Sequence, residues 1–235
     1  MSVKLPSGEH LSVERRILRW THGHALCMLL VVVAMVAGVP VIILPVVAVL
    51  SLSVYLLRIC KLPPGRWLFL GLANVITLAR GALVIVVFLT FTQLPSWLTG
   101  LLLLLALILD GIDGFVARRW NEADICGQYL DVEVDALFVL LLCVLLWRYS
   151  DVPAAILFIG LLRYLYLLFL AYFVPREKLE PRRRYASIVA VFLLLALIAR
   201  AVYAAPILDG LLLIACALVV WSFSRSLQYQ IMDRS

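Results

Sequence analysis

The sequence has little charge for its length. Only 14% of its 235 residues are aspartate, glutamate, lysine or arginine, whereas 65% are hydrophobic and the mean hydropathy is +1.10. Soluble domains carry about 25% charged residues, and repeated apolar runs of about 17 to 25 residues are typical of membrane-spanning helices. The composition therefore excludes an ordinary soluble domain and predicts an all-helical integral membrane protein.

Signals for disulfides, zinc and secretion are missing as well. The five cysteines show neither a CxxC nor a paired spacing, so we interpret them as small apolar residues. His22 and His24, in an HGH run, have no carboxylate or cysteine at ligand spacing, which favours surface histidines. No small-residue cleavage pattern follows the first apolar run, so a signal peptide is not predicted.

Eight apolar segments predict eight spans. Two of them form a tight N-terminal hairpin at 24–57, interrupted by Gly38 and Pro40, and a linker at 58–66 follows. The other six make up a predicted core at 67–224, with spans at 67–92, 97–118, 127–147, 152–174, 185–204 and 206–224. Residues 1–23 are predicted as a tail whose LSVERRILRW segment lies as an interfacial helix, and 225–235 as a second tail.

Lysine and arginine are distributed unevenly between the two sides of this topology. Sixteen of the 20 basic residues lie in the two tails and the loops at 58–66, 118–126 and 175–184, all on one side. Because basic loops are retained in the cytoplasm, both termini are predicted to be cytoplasmic. The net charge of +6 then reflects topology and attraction to anionic headgroups, and it does not call for a nucleic-acid partner.

Four aspartates interrupt the apolar background within residues 110–135. Residues three and four apart share a helix face. One face of the fourth predicted span carries two carboxylates and two small residues: Asp110, Asp113, Gly114 and Ala117. One face of the fifth span carries a glycine and two carboxylates: Gly127, Asp131 and Asp135. The short loop between the spans brings both pairs to matching depths near the cytoplasmic mouth, while Glu133 points away from them.

Unpaired carboxylates inside a membrane are costly. Each membrane-centred aspartate costs about 2.5–3.5 kcal/mol on insertion scales, so four cost on the order of 10 kcal/mol. Arg80 and Arg118 are the nearest candidate partners, and two arginines do not neutralise four carboxylates. Carboxylate oxygens suit Mg²⁺ or Mn²⁺, which commonly join carboxylates to substrate phosphates. We therefore expect one or two such ions rather than salt bridges alone.

The aspartates belong to a longer pattern, D-x2-D-G-x2-A-R-x8-G-x3-D-x3-D, which is complete between Asp110 and Asp135. This pattern resembles the signature of the CDP-alcohol phosphotransferase family. Upstream, the run from Asn74 to Arg80 resembles the N-x2-T-x2-R element on the first core helix of that family. The resemblance covers about residues 67–224 and implies a six-helix core, with the N-terminal hairpin outside it.

The resemblance implies a membrane enzyme that transfers a phosphatidyl group from CDP-diacylglycerol to an alcohol and releases CMP. It implies metal ligation by Asp110, Asp113, Asp131 and Asp135, with Asp135 as general base. It also implies a homodimer, and the expected location is a bacterial inner membrane. The implied CDP-binding residues on the aspartate-bearing spans are Gly114, Ala117, Arg118 and Gly127.

Asn74, Thr77 and Arg80 form a slanting stripe on the first core helix. This stripe is predicted either to face the CDP nucleotide or to hold the metal ligands in place. The alternative for Asn74 and Thr77 is that they only join helices by hydrogen bonds.

The choice of acceptor depends on arginines. Arg163 lies within a span, and the next span opens with Arg182, Arg183 and Arg184. Arginine binds phosphate through its planar fork of donors, so these residues favour a phosphorylated acceptor such as glycerol 3-phosphate over serine, choline, ethanolamine or inositol. The alternative for the three-arginine cluster is lipid headgroup binding, and for Arg163 a structural network with neighbouring tyrosines.

Two other classes of membrane protein also place aspartates in spans. A prenyltransferase binds a diphosphate through Mg²⁺ and two separated aspartate-rich motifs, but all four aspartates here belong to one pair of adjacent spans. A transporter is favoured by intramembrane carboxylates, yet no internal repeat or pair of broken helices is evident. Both are more distant alternatives to the enzyme.

Overall fold

The computed structural model describes residues 7–59, 71–119, 125–173 and 184–232. These residues form eight α-helices and no strand, so the all-helical prediction is confirmed. The helices are α1 (Ser7–Val36), α2 (Ile43–Val54), α3 (Leu72–Thr90), α4 (Ser96–Arg119), α5 (Ile125–Tyr149), α6 (Ile156–Phe173), α7 (Arg184–Val202) and α8 (Pro206–Met232). A π-helical segment, Tyr55–Ile59, continues α2.

Six of these helices are long and apolar enough to cross a membrane: α1, α3, α4, α6, α7 and α8. The α2 helix has only 12 residues. The α5 helix has 25 residues, but it carries Asp131, Glu133, Asp135 and Arg148. Because ionisable groups are costly in lipid, such a helix is expected to be enclosed by protein.

The α5 helix is indeed the centre of the bundle. Its residues 140–146 are each at most 1% exposed, as expected for a helix that is apolar on all sides. The α3, α6 and α7 helices pack against it, whereas α4 packs on α3 and α7, and α8 packs on α7 and α6. The α1 helix packs mainly on α6. Two of the four aspartates therefore lie on the most enclosed helix.

The N-terminal region differs from the predicted tail with a separate interfacial helix. The α1 helix is a single element of 30 residues, because it contains no proline and Gly23 alone does not stop a helix. Ile17, within the predicted interfacial segment, is fully buried, so this segment packs on protein. Gly38 adopts a φ of 105°, which glycine takes without strain, and the chain reverses there before α2.

Gly160 of α6 permits the close packing of α6 on α5. A Cβ atom at this position would lie 2.9 Å from Leu140 Cδ1, 3.1 Å from Leu140 Cα and 3.2 Å from Cys143 Cβ. Since one of these atoms belongs to the backbone, the contact is not relieved by a side-chain rotation alone.

We predict that Gly160→Ala lowers the stability of the bundle by about 1–3 kcal/mol, the usual cost of overpacking a core. Gly210→Ala in α8 is the matched control, because a Cβ there meets no atom within 4 Å. Thermal unfolding in detergent should show a lower midpoint for Gly160→Ala only. Equal midpoints for the two variants would contradict this account of the α5–α6 contact.

Candidate active site

Three helices build the aspartate cluster. The α4 helix carries Asp110 and Asp113, and the α5 helix carries Asp131 and Asp135. The α3 helix packs against both of them. The two aspartate pairs therefore meet around a side chain of α3, Arg80, rather than only across the α4–α5 loop.

Arg80 is the central residue of this cluster, and it is fully buried. Its Nη1 contacts Asp110 Oδ1 and lies 2.8 Å from Asp135 Oδ1. Its Nη2 lies 3.0 Å from Asp131 Oδ1. One guanidinium thus holds carboxylates from two helices, which its planar fork of donors allows. The prediction that Arg80 is a partner of the aspartates is confirmed.

The fourth carboxylate, Asp113, is more enclosed than the others and is held by Thr77. Asp113 is 4% exposed, whereas the side chains of the other three aspartates are 30 to 43% exposed. Thr77 Oγ1 lies 3.0 Å from Asp113 Oδ2 and 3.1 Å from the carbonyl oxygen of Ala73, so its single proton is shared between them. The hydrogen bond of Thr77 thus orients a carboxylate and also joins α3 to α4.

The donor set of the cluster fits a divalent cation. Carboxylate oxygens of Asp110, Asp113 and Asp131 all lie within 4.8 Å of one another. Oxygen donors at this separation reach one Mg²⁺ or Mn²⁺ after small side-chain rotations. In addition, one guanidinium does not balance four carboxylates, so the cluster attracts a cation electrostatically.

The other residues predicted for CDP binding lie on the same three helices, α3, α4 and α5. Asn74 lies one turn before Thr77 on α3 and is half-buried. Gly114 and Gly127 are half-buried as well, and Ala117 and Arg118 lie in the last turn of α4. Gly114, Ala117 and Arg118 follow the aspartates of α4, and Gly127 precedes those of α5, so these four positions lie near the end of α4 and the beginning of α5.

Among the described residues, no contact joins a predicted acceptor-binding arginine to an aspartate of the cluster. Arg163 Nη2 donates a hydrogen bond to Glu133 Oε1 at 2.9 Å. Glu133 is two positions away from each aspartate of α5, about 200° around the helix, so Arg163 contacts the opposite face of α5. Arg182 and Arg183 lie outside the described residues, and Arg184 begins α7.

The prediction of a surface histidine at position 24 is wrong. His24 is 2% exposed, and its Nε2 lies 3.9 Å from Glu133 Oε2. The reason is that α1 begins far upstream of His24, so this residue lies within a helix that packs on the bundle. Glu133 and Arg163, two ionisable residues within spans, were a signal that a buried pair exists here. His24 itself gave no comparable signal.

A family model described as CDP-alcohol phosphatidyltransferase matches residues 70–221, which is more than half of the chain. The chain belongs to this family. The matched range begins just before α3 and ends within α8, so the six core helices are those of the family. The α1 and α2 helices lie outside it.

Two curated relatives of the chain share one name, CDP-diacylglycerol–glycerol-3-phosphate 3-phosphatidyltransferase. The one from Rickettsia bellii is 39% identical over 85 residues, which cover 35% of this chain and 47% of the relative. The one from Salmonella choleraesuis is 40% identical over 63 residues, which cover 27% of this chain and 34% of the relative. The chain thus matches less than half the length of each relative. No solved structure matches it.

We predict that Arg80→Gln destabilises the protein when divalent cations are removed, because three carboxylates then lack the positive charge of the guanidinium. Breaking a buried ion pair costs about 3–5 kcal/mol, and partial exposure of the aspartates reduces this to about 2–3 kcal/mol. The measurement is the thermal unfolding midpoint in EDTA and in Mn²⁺. Mn²⁺ should recover part of the loss, because it supplies the missing positive charge.

Arg148→Gln is the matched control, since Arg148 is exposed at the end of α5. This variant should unfold at the same temperature as the wild type in both conditions. An Arg80→Gln protein that is as stable as wild type in EDTA would show that Arg80 is not the main counter-charge of the aspartates.

Proposed function

We propose that this chain is an integral membrane enzyme that transfers the phosphatidyl group of CDP-diacylglycerol to glycerol 3-phosphate and releases CMP. The observation that carries this proposal is the clustering of four signature aspartates, three of which contact Arg80 while the fourth, Asp113, is held by Thr77. Family membership supports the CDP-linked donor and the alcohol acceptor. The printed names of both curated relatives support glycerol 3-phosphate as that alcohol.

In the proposed reaction, a hydroxyl oxygen of the acceptor attacks the phosphorus that carries diacylglycerol. A new phosphorus–oxygen bond forms, the diphosphate bond breaks, and CMP leaves with the bridging oxygen. The hydroxyl proton passes to the carboxylate of Asp135, which acts as general base. Positioning and charge neutralisation supply most of the catalysis of phosphoryl transfer, and both are available at this cluster.

Asp110, Asp113, Asp131 and Asp135 are the proposed metal ligands, for one or two ions. Bound Mg²⁺ or Mn²⁺ would neutralise charge on the diphosphate and on the departing CMP. Arg80 keeps the three more exposed aspartates together, and Thr77 orients Asp113. The chain itself therefore arranges the ligands before any cation binds.

The CDP pocket is proposed to lie beside the cluster, between α3 and the adjoining ends of α4 and α5. Gly114, Ala117 and Gly127 would let the nucleotide approach the helix backbones closely, because their side chains are absent or small. Arg118 would pair with a phosphate of the donor, and Asn74 would contact the nucleotide.

The phosphate of the acceptor is proposed to bind the cluster Arg182, Arg183 and Arg184. The first two come before α7 in the sequence, and Arg184 is the first residue of α7. Arg163 was the other candidate, but its guanidinium is engaged by a fully buried glutamate on the opposite face of α5. We therefore assign Arg163 a role in the bundle rather than at the acceptor. A homodimer and cytoplasmic termini, in a bacterial inner membrane, are proposed on the family resemblance and on the charge bias.

Release of CMP by the purified full chain in detergent tests the reaction. With CDP-diacylglycerol and Mn²⁺, release should require glycerol 3-phosphate, and serine, choline, ethanolamine and inositol should not replace it. Asp131→Asn should lower the rate by about 100-fold or more, because a metal ligand and its charge are lost. Asp151→Asn is the control, as Asp151 is exposed and lies between α5 and α6. Release with another alcohol, or from the Asp131→Asn protein at the wild-type rate, contradicts the proposal.

The acceptor site is tested by replacing two cations of the arginine cluster. We expect Arg182→Gln with Arg183→Gln to raise KM for glycerol 3-phosphate about tenfold or more, since charge-assisted hydrogen bonds contribute about 1.5–3 kcal/mol each. KM for CDP-diacylglycerol should stay close to the wild-type value. Arg225→Gln, in α8, is a control for lost positive charge. An unchanged KM for glycerol 3-phosphate would exclude this cluster as the phosphate site.

A further inference from the structure

The N-terminal hairpin, formed by α1, α2 and the π-helical segment Tyr55–Ile59, lies outside the matched family range. It nevertheless reaches the central helix α5. Its side chains touch α5 at Cys126 and at Glu133, through Tyr55 and His24 respectively. Cys126 precedes Asp131 on this helix, and Glu133 follows it.

The first contact joins Tyr55 to the beginning of α5. The hydroxyl of Tyr55 donates a hydrogen bond to the carbonyl oxygen of Cys126 at 2.7 Å, and Tyr55 is fully buried. The ring of Tyr55 packs on Trp20 with 4.4 Å between the ring centroids. Trp20 Nε1 in turn donates to the carbonyl oxygen of Ser51 at 3.1 Å. The hydroxyl of Tyr55 is thus held in place by both helices of the hairpin.

The second contact joins His24 to Glu133, whose side chain is 0% exposed. His24 Nδ1 is hydrogen-bonded to Ser51 Oγ at 2.8 Å, so its Nε2 is directed away from α2. This Nε2 and Glu133 Oε2 face each other at 3.9 Å, and neither atom has a hydrogen-bond partner among the described residues. The other carboxylate oxygen of Glu133 accepts from Arg163. A buried carboxylate is costly to move away from such partners.

The two contacts lie on the same face of α5. Cys126 and Glu133 are seven residues apart, which is about two turns or 10.5 Å along the helix. Asp131 lies between them and Asp135 lies just beyond. A helix held at two points on its length resists both rotation about its axis and sliding. On the aspartate side, α5 meets Arg80, and the carboxylates must stay in register with those of α4.

We propose that Tyr55 and His24 are positioning residues that hold α5, through Cys126 and Glu133, in the rotation that presents Asp131 and Asp135 to Arg80 and a bound cation. The hairpin then contributes to the site without touching the substrates. The use of Mn²⁺ binding and of CMP release as readouts rests on the proposed function. The positioning contacts do not rest on it.

The test compares variants that weaken the contacts of the hairpin with α5. Tyr55→Phe removes the hydroxyl and keeps the ring that packs on Trp20, and Glu133→Gln keeps the shape and removes the charge that faces both His24 and Arg163. Ser53→Ala is the matched control, because among the described residues the Ser53 hydroxyl donates to the carbonyl oxygen of Val49 in its own helix. His24→Gln, which retains a donor near the position of Nε2, is compared with His24→Leu, which does not.

The first readout is direct Mn²⁺ binding to the full chain in detergent. Electron paramagnetic resonance of the free ion measures this binding. We expect Tyr55→Phe, Glu133→Gln and His24→Leu to weaken Mn²⁺ binding about tenfold, as is usual when support of metal ligands is lost. His24→Gln and Ser53→Ala should bind Mn²⁺ as the wild type does. A purely structural role would change the unfolding temperature but not the affinity of the folded protein.

The second readout is CMP release. Misplaced aspartates should lower kcat about tenfold and change KM for glycerol 3-phosphate by less than about twofold, because the acceptor site is not moved. If the variants bind Mn²⁺ like the wild type, or if the wild type binds none, the inference is overturned. If Mn²⁺ affinity falls as expected but even the wild type releases no CMP, the inference holds and the proposed reaction fails.

Discussion

Negative charge enclosed in an apolar bundle is the constraint on which this structure depends. Four carboxylates on two helices repel one another, and lipid does not solvate them. The protein meets this constraint with one buried arginine on a third helix, which contacts three of the four. Because α3 must bring Arg80 between α4 and α5, the packing of these three helices and the geometry of the candidate active site follow from the same interaction.

The α5 helix carries ionisable groups on two opposite faces. Asp131 and Asp135 meet Arg80 on one face, and Glu133 meets Arg163 and His24 on the other. A helix with charge on both faces is not compatible with contact to lipid, and this explains why α5 is the most enclosed helix of the bundle. It also explains why His24 of α1, outside the family range, lies against this second face, since a buried charge needs protein partners.

Much of the candidate site could be predicted from residue spacing. The i, i+3 and i, i+4 relations placed each aspartate pair on one helix face, and the motif indicated the family that the matched range then established. Arg80 could be named as a partner because few cations lie within the spans. The surroundings of Glu133 were not predicted, since a helical period says where a side chain points and not which helix lies there. His24 was misplaced because the N-terminal boundary of α1 was misplaced.

The sequence by itself determined the class of the protein, its helices and the chemistry of its carboxylates, because apolar run length, helical period and motif spacing are local properties of the chain. Only the tertiary structure decided that one guanidinium joins the two aspartate pairs, that Arg163 pairs with Glu133, and that the N-terminal hairpin contacts α5 at Cys126 and Glu133. These are contacts between residues 30 to 109 positions apart, and packing between helices, rather than any periodicity along one of them, selects such partners.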